Sequence, residues 1–232
     1  MSGMPGDVVT QRVLFMRHPE TISNTQHFFS GRLDVPLTPH GEEQRARAVE
    51  ALVAFGPDRI FCSPLSRARG LAEEAADRLG VTCTPLDDLL ELDFGPLEGM
   101  TVAEVMGAGA SFPWPVDERG VSHPPAGAES FEHLRERCLR VLERLRPLTG
   151  RTACVTHGGY LRMLTAAVYE IPLTRFWDQH VLNVSSHYLT CDGNTFALGG
   201  FNLSPEEVIS HATTPNEYDT RDIWGTRSKE HK

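Results

Sequence analysis

Two arginines and two histidines follow short apolar runs at three distant points of the chain. Arg17 and His18 come directly after the run 13–16. Arg67 comes after Arg59–Cys62, by way of Ser63, Pro64, Leu65 and Ser66. His157, with Gly158 and Gly159, comes after the run 152–156. Two guanidinium forks and an imidazole match the equatorial oxygens of a phosphoryl group in both charge and shape. A second imidazole, neutral near pH 7, has a nitrogen able to attack phosphorus. Phosphoryl transfer needs an in-line attacker, positive charge on the oxygens and a proton for the leaving group. Arginines alone would make a phosphate-binding site, whereas a histidine set among them points to covalent chemistry. A glycine pair opening a helix at 158–159 adds free backbone amides for the anion.

The elements that must bring these residues together can be read from apolar spacing. Strands are expected at 13–16, 59–62, 81–84 and 152–156, with a hairpin of two more at 186–191 and 195–198 around Asp192-Gly193-Asn194. Between them lie helical patterns. One starts at Thr38-Pro39, a hydroxyl cap followed by proline at the first helical position, and ends at Gly56-Pro57. A second carries Leu65, Ala68, Leu71, Ala72, Ala75 and Leu79 on one side and stops at Gly80. A third, around Phe131, Leu134, Cys138, Val141 and Leu145, ends before Pro147, and a fourth spans 160–169. Strands alternating with helices predict an α/β fold, a three-layer α/β/α sandwich with a mostly parallel central sheet. In such sheets ligands bind outside the C-terminal ends of the strands, which is where both arginines and both histidines fall.

Two segments resist this pattern. Residues 95–127 hold many Gly and Pro, with at most a short helix near 101–106, and read as an irregular lid insertion. Phe112, Trp114, Val116 and Arg119 are its candidates for contact with the non-phosphate part of a substrate: the aromatics for a sugar or base face, Arg119 for a carboxylate or second phosphate. The polar stretch 203–232, apart from Val208, Ile209, Tyr218 and Trp224, reads as a C-terminal arm. Arg135, Arg137, Arg140, Arg144 and Arg146 are expected mostly on the solvated side of one helix, partnered at i,i+4 by Glu132, Glu136 and Glu143.

Arg17-His18-Pro19-Glu20-Thr21, Asn24, and then Gly31-Arg32-Leu33-Asp34-Val35-Pro36-Leu37-Thr38 with Gly41 resemble the histidine phosphatase superfamily, the phosphoglycerate-mutase-like group. The group's pattern is R-H-G-E-T-x-x-N followed by G-R-x-D-x-P-L-T-x-x-G. Ser63 to Ala68, Leu90 to Gly99, Gly127 to Ser130 and Thr156 to Gly159 continue the resemblance in order, over roughly residues 12 to 200. It implies one histidine-phosphatase-like domain over 1–232, with His18 as the nucleophile forming a phosphohistidine. Arg17, Arg67 and His157 would grip the phosphoryl oxygens, and Asn24, Arg32, Ser30, Gly31 and Gly158 would line the incoming phosphate. Glu91 matches the proton donor, and a carboxyl beside a dianionic substrate in a partly closed cleft is expected to hold its proton. Glu20 and Asp34 are expected to organise the loop. The resemblance implies no cofactor and no metal, since arginines and His157 supply the positive charge. Two positions depart from the group: Pro19 stands where glycine is usual, and Gly70 where threonine is usual. The segment Glu91 to Gly99 is similar to the phosphatase branch rather than to the mutases, so a phosphomonoesterase acting on a small phosphorylated metabolite is expected. A phosphomutase or a non-catalytic phosphate-binding module are the alternatives.

Composition narrows the rest. With 22 basic against 31 acidic residues and a formal charge of −9, the chain is no general partner for nucleic acid or an anionic membrane. All but two of the basic residues are arginine, the exceptions being Lys229 and Lys232. That removes one common partner for a second phosphate. The five cysteines are widely spaced and odd in number, against a disulfide framework or a cysteine zinc site. No leader-like start and no long apolar run are visible, so a cytoplasmic protein is expected; a homodimer is compatible with the sequence but not required by it. A metal site of His18, Glu20, Asp93 and His157 would place guanidinium groups beside a cation, which disfavours it.

Overall fold

The computed structural model describes residues 9–108 and 114–211. Six strands are present: β1 Gln11–Arg17, β2 Arg59–Cys62, β3 Cys83–Pro85, β4 Gly150–Thr156, β5 Ser186–Cys191 and β6 Phe196–Leu203. They form one sheet in the order β3-β2-β4-β1-β5-β6. β1 pairs in parallel with β4, β4 with β2 and β2 with β3, while β5 is antiparallel to both β1 and β6. The sheet is therefore mostly parallel, with one reversed strand.

Alternation along the central strand divides the core. Val13 and Phe15 of β1 face one apolar cluster, and Leu14 and Met16 face the other; all four are fully buried. The first cluster is closed by α5, Phe131–Leu145, and α6, Gly158–Tyr169; the second by α2, Pro39–Phe55, and α3, Ser66–Leu79. Each fully buried aliphatic or phenyl side chain contributes on the order of 1.5–3 kcal/mol relative to exposure, so burial on both faces holds the layers. This is the α/β/α sandwich that the alternating pattern predicts.

Local signals set the helix ends. The Thr38 hydroxyl accepts from the Gly41 amide at the start of α2, and Gly56 closes it in the left-handed region at φ 62°. Gly41 itself has no room for a side chain, because a Cβ there would strike the Glu20 carbonyl.

The described part of the insertion is more ordered than its composition suggests. The apolar spacing does not predict α1, Ile22–Gln26, whereas the short helix expected near 101–106 is α4, Val102–Gly107, capped by Thr101 and Glu104, with Val105 fully buried. Val116 bridges to Ser122 around a turn in which the Asp117 carboxylate accepts from the Arg119 and Val121 amides. Trp114 is only 2% exposed, stacked on Phe131 and edge-on to Phe94. It anchors the insertion to the core rather than presenting a face to ligand, and Arg119 points from an exposed turn. Both substrate-contact expectations are corrected: apolar burial captured the indole, and the Asp117 turn faces solvent. Phe112 lies outside the described residues.

The stretch from 203 runs from the end of β6 into α7, Pro205–His211, which docks on α2 through the buried Val208; Tyr218 and Trp224 lie outside the described residues. One further expectation changes. On α5, Arg137 is 4% exposed, not solvated, and Glu132 accepts from the Ser122 amide and hydroxyl instead of pairing along the helix. No described helix is long and apolar enough to cross a membrane.

Candidate active site

β1 and β4 are neighbours at the centre of the sheet, and β2 lies beside β4, so three strand ends meet. The His18 amide donates to Thr156 O and the Ser63 amide to Val155 O, carrying the ladder one residue past each strand. A cavity of about 180 Å³ opens there, lined by Arg17, His18, Arg67, Glu91 and Gly158 among others.

His18 is 4% exposed, and its Nδ1 lies 2.6 Å from Pro19 O. A carbonyl only accepts, so Nδ1 carries the proton and Nε2 keeps its lone pair. Burial first, and then the Arg67 and Arg17 charges, hold this imidazole well below its usual value. The ring is thus a neutral base with a defined free nitrogen. Proline at 19 costs the site an amide but keeps the carbonyl that orients the His18 ring.

His157 is fully buried beside it, with ring centroids 5.2 Å apart. Arg67 Nε donates to His157 Nδ1 at 3.3 Å, so Nε2 carries the proton, and it donates to Ser63 Oγ at 2.7 Å. Both of its nitrogens are engaged by protein. Burial, followed by Arg67, His18 and Arg17, lowers its pKa well below the ordinary value. Arg67 also donates to Ser30 O, Gly31 O and Leu33 O, which ties the loop after α1 to α3. Arg17 donates from Nη1 to Val181 O, while its buried Nε has no hydrogen-bond partner among the described residues; burial and then Arg162 push its pKa down to about 10, still charged at neutral pH.

Asn24 lines the cavity. Its Oδ1 accepts from Thr21 N, Thr21 Oγ1 and Asn183 Nδ2, which leaves its amide nitrogen as the donor for a ligand. Ser30 also lines it, its hydroxyl 2.6 Å from that of Ser23. Gly31 lies behind, packed so tightly that a Cβ would strike Leu92 O. Gly158 opens α6, where the first amides have no intrahelical acceptor. Glu91 occupies the next two: Gly159 N donates to Oε2 at 2.9 Å and Tyr160 N to Oε1 at 3.1 Å. The carboxyl is therefore fixed at the helix start, within the same cavity as His18.

Arg32 is not part of the cavity lining. Its guanidinium lies 3.6 Å from both Asp93 and Glu129, so the phosphate-contact expectation is corrected: two carboxylates draw it to the rear of the acid-bearing segment. That segment has a support the sequence reading missed. Arg137 pairs in a fork with Glu129, at 2.7 Å for each bond, and donates to the carbonyls of Asp88, Leu90 and Glu91. Burial raises the Glu129 pKa, but the Arg137 bonds outweigh it and the net shift is downward. Glu20 and Asp34 do organise the loop, accepting from Thr38 Oγ1 and from Ser66 N and Oγ. Gly70 faces open space.

The sequence reading also missed Arg162 and Trp177, both in the cavity wall. Arg162 lies one helical turn beyond Gly158, a spacing that places them on one face; that signal was present in the sequence. Trp177 belongs to the short 3-10 helix Leu173–Asp178, which has no apolar period to announce it. The metal set weighed above does not assemble, since Glu20 binds Thr38 and Asp93 Oδ1 binds the Gly95 amide. Among the described residues no three His, Cys, Asp or Glu side chains cluster as a cation site.

Known proteins resemble this chain in sequence and in fold. A glucosyl-3-phosphoglycerate phosphatase of Mycolicibacterium vanbaalenii is 32% identical over 176 residues, 70% of this chain and 76% of the relative. A probable phosphoglycerate mutase of Klebsiella pneumoniae is 27% identical over 220 residues, 88% and 96% of the two chains. A solved mycobacterial glucosyl-3-phosphoglycerate phosphatase in complex with VO3 superimposes with a TM-score of 0.73 at 26% identity, over 83% of this chain and 99% of that one. Residues 13–204 match the family model of the histidine phosphatase superfamily, branch 1, and the chain belongs to that family.

Proposed function

We propose that the protein is a phosphomonoesterase of the cytoplasm that hydrolyses a small phosphorylated metabolite through a phosphohistidine on His18. The observation that carries this reading is the bond from His18 Nδ1 to Pro19 O, which leaves Nε2 free in a cavity walled by Arg17 and Arg67. In the first step Nε2 attacks phosphorus, the bond from phosphorus to the ester oxygen breaks, and Glu91 gives its proton to the departing alkoxide. In the second, water attacks the phosphohistidine, the Glu91 carboxylate takes its proton, and the N–P bond breaks to release inorganic phosphate. The unpaired Arg17 Nε, the Asn24 amide and the Gly158 N–H are the donors for the phosphoryl oxygens, with Arg67 and His157 adding charge and holding the loop.

A sugar phosphate, a phosphoglycerate derivative or a nucleotide is the expected substrate class, and the relative that acts on glucosyl-3-phosphoglycerate supports the second of these. Hydrolysis is favoured over mutase chemistry because the lysines lie only at 229 and 232, away from the site motifs, leaving arginines as its cations. A panel of such esters, assayed for phosphate release with wild type and His18→Ala, tests the reading. Turnover of several small esters that disappears in the variant supports it. Turnover of phosphoproteins alone, or phosphoryl exchange between esters without release of phosphate, contradicts it.

A further inference from the structure

The cavity holds three guanidinium groups, Arg17, Arg67 and Arg162, against one carboxylate, Glu91. Arg67 is tied into the framework by several hydrogen bonds and Arg17 by a terminal nitrogen on Val181 O, and the two account for a phosphoryl dianion. Arg162 is different. Only its Nε is engaged, donating to Gln179 O at 2.9 Å, and its two terminal nitrogens make no hydrogen bond or ion pair among the described residues. Yet it is held in place. Its guanidinium lies 5.3 Å over the Trp177 ring, and Gln179 Nε2 donates back to the Arg162 carbonyl at 3.0 Å. The result is an ordered fork with unused donors at the wall of the cavity, beside the aromatic side of Phe28, Phe94 and Trp177.

Geometry decides what that fork takes. Arg17 and Arg67 match the two charges of a phosphoryl dianion, which leaves the Arg162 terminal nitrogens for the leaving-group part of the substrate. A planar fork with two free nitrogens fits a planar monoanion, a carboxylate, better than a second phosphate dianion.

We propose that Arg162, braced by Trp177 and Gln179, is the specificity residue that binds a carboxylate on the alcohol part of the substrate. The preferred substrates are then phosphorylated hydroxy acids and their derivatives. This rests on the phosphatase reading and narrows it.

The test compares esters that differ in that one group: 3-phosphoglycerate against glycerol 3-phosphate, and phosphoserine against phosphoethanolamine. For each pair the ratio of kcat/KM is measured in wild type, Arg162→Gln and Arg162→Lys. The same pairs are titrated calorimetrically against His18→Ala and His18→Ala/Arg162→Gln, where nothing is turned over. Wild type is expected to favour the carboxylate member by roughly 10- to 100-fold, the range of a hydrogen bond to a charged group. Arg162→Gln brings the ratio near one, mainly through KM, and Arg162→Lys restores part of it. An unchanged ratio, whether both members fall together or neither does, overturns the proposal and makes Arg162 part of the phosphoryl cage or of the packing. A wild type without preference in either turnover or binding overturns it as well. Phosphate release that survives His18→Ala refutes the phosphohistidine on His18 instead, absence of release in wild type refutes the phosphatase reading, and in either case the calorimetric ratio still decides on Arg162.

Discussion

At His18 a single hydrogen bond decides which nitrogen is available for chemistry. With Nδ1 held by Pro19 O, a neighbouring charge need only keep the ring neutral, and burial with Arg67 and Arg17 does so. The acid limb of the kcat/KM profile is therefore not expected near pH 6.5, where an ordinary imidazole would lose its nucleophilic form. An NMR titration should find His18 neutral down through pH 6; a midpoint at the usual value would show the cage to be looser than described. A second residue-scale expectation concerns Gly159. A Cβ there would press on Glu91 Oε1, while alanine favours the helix itself. Gly159→Ala should keep its melting temperature within a few degrees yet lose on the order of 10²-fold in kcat, the range of general-acid catalysis. Thermal melting and steady-state kinetics on one preparation would separate the two effects.

The elements divide into those with a periodic signature and those without. Thr38-Pro39 to Gly56 carries cap, proline and stop, and α2 begins and ends where those residues say. His18 and His157 are each one residue past a strand, which made their meeting legible once β1 and β4 were taken as parallel neighbours. Arg137 was not legible: it shares a helix with Arg135, Arg140, Arg144 and Arg146, and nothing in the spacing marks the one turned inward. What turns it is Glu129, placed by a loop whose path depends on the whole insertion. Trp114 failed for a related reason, because an aromatic among Gly and Pro can equally face ligand or core, and here Phe94 and Phe131 bury it. The Glu129–Arg137 pair is expected to support catalysis by holding the carbonyls on either side of Glu91. Arg137→Ala should cost about 3–5 kcal/mol, the usual penalty for stranding one partner of a buried ion pair, and should lower kcat in the folded fraction. Urea denaturation read beside activity checks this, and full stability in the variant would refute it.

For the molecule as a whole, three buried histidines make stability depend on pH in one direction. His18 and His157 lie well below the ordinary imidazole value, and burial pushes His187 down to about 3. In the unfolded chain each titrates near pH 6.5, so below that value the unfolded state binds more protons. Stability is full above about pH 6.5 and is lost as pH falls, by about 1.4 kcal/mol per histidine at pH 5.5. Glu129 adds a loss at lower pH, since its depressed carboxylate contributes above its unfolded value and fails as pH drops through the folded one. Denaturant midpoints should fall steadily from pH 7 to 5, and a flat profile would contradict the burial of these rings. The measurement that bears most directly on the mechanism is rapid alkaline quench of the enzyme during turnover, with mass spectrometry of its peptides. Phosphate on Nε2 of His18, formed and lost at the rate of ester hydrolysis and absent from His18→Ala, is the predicted result. Turnover at full rate with no phosphorylated histidine, or with the phosphoryl group on His157, would contradict it.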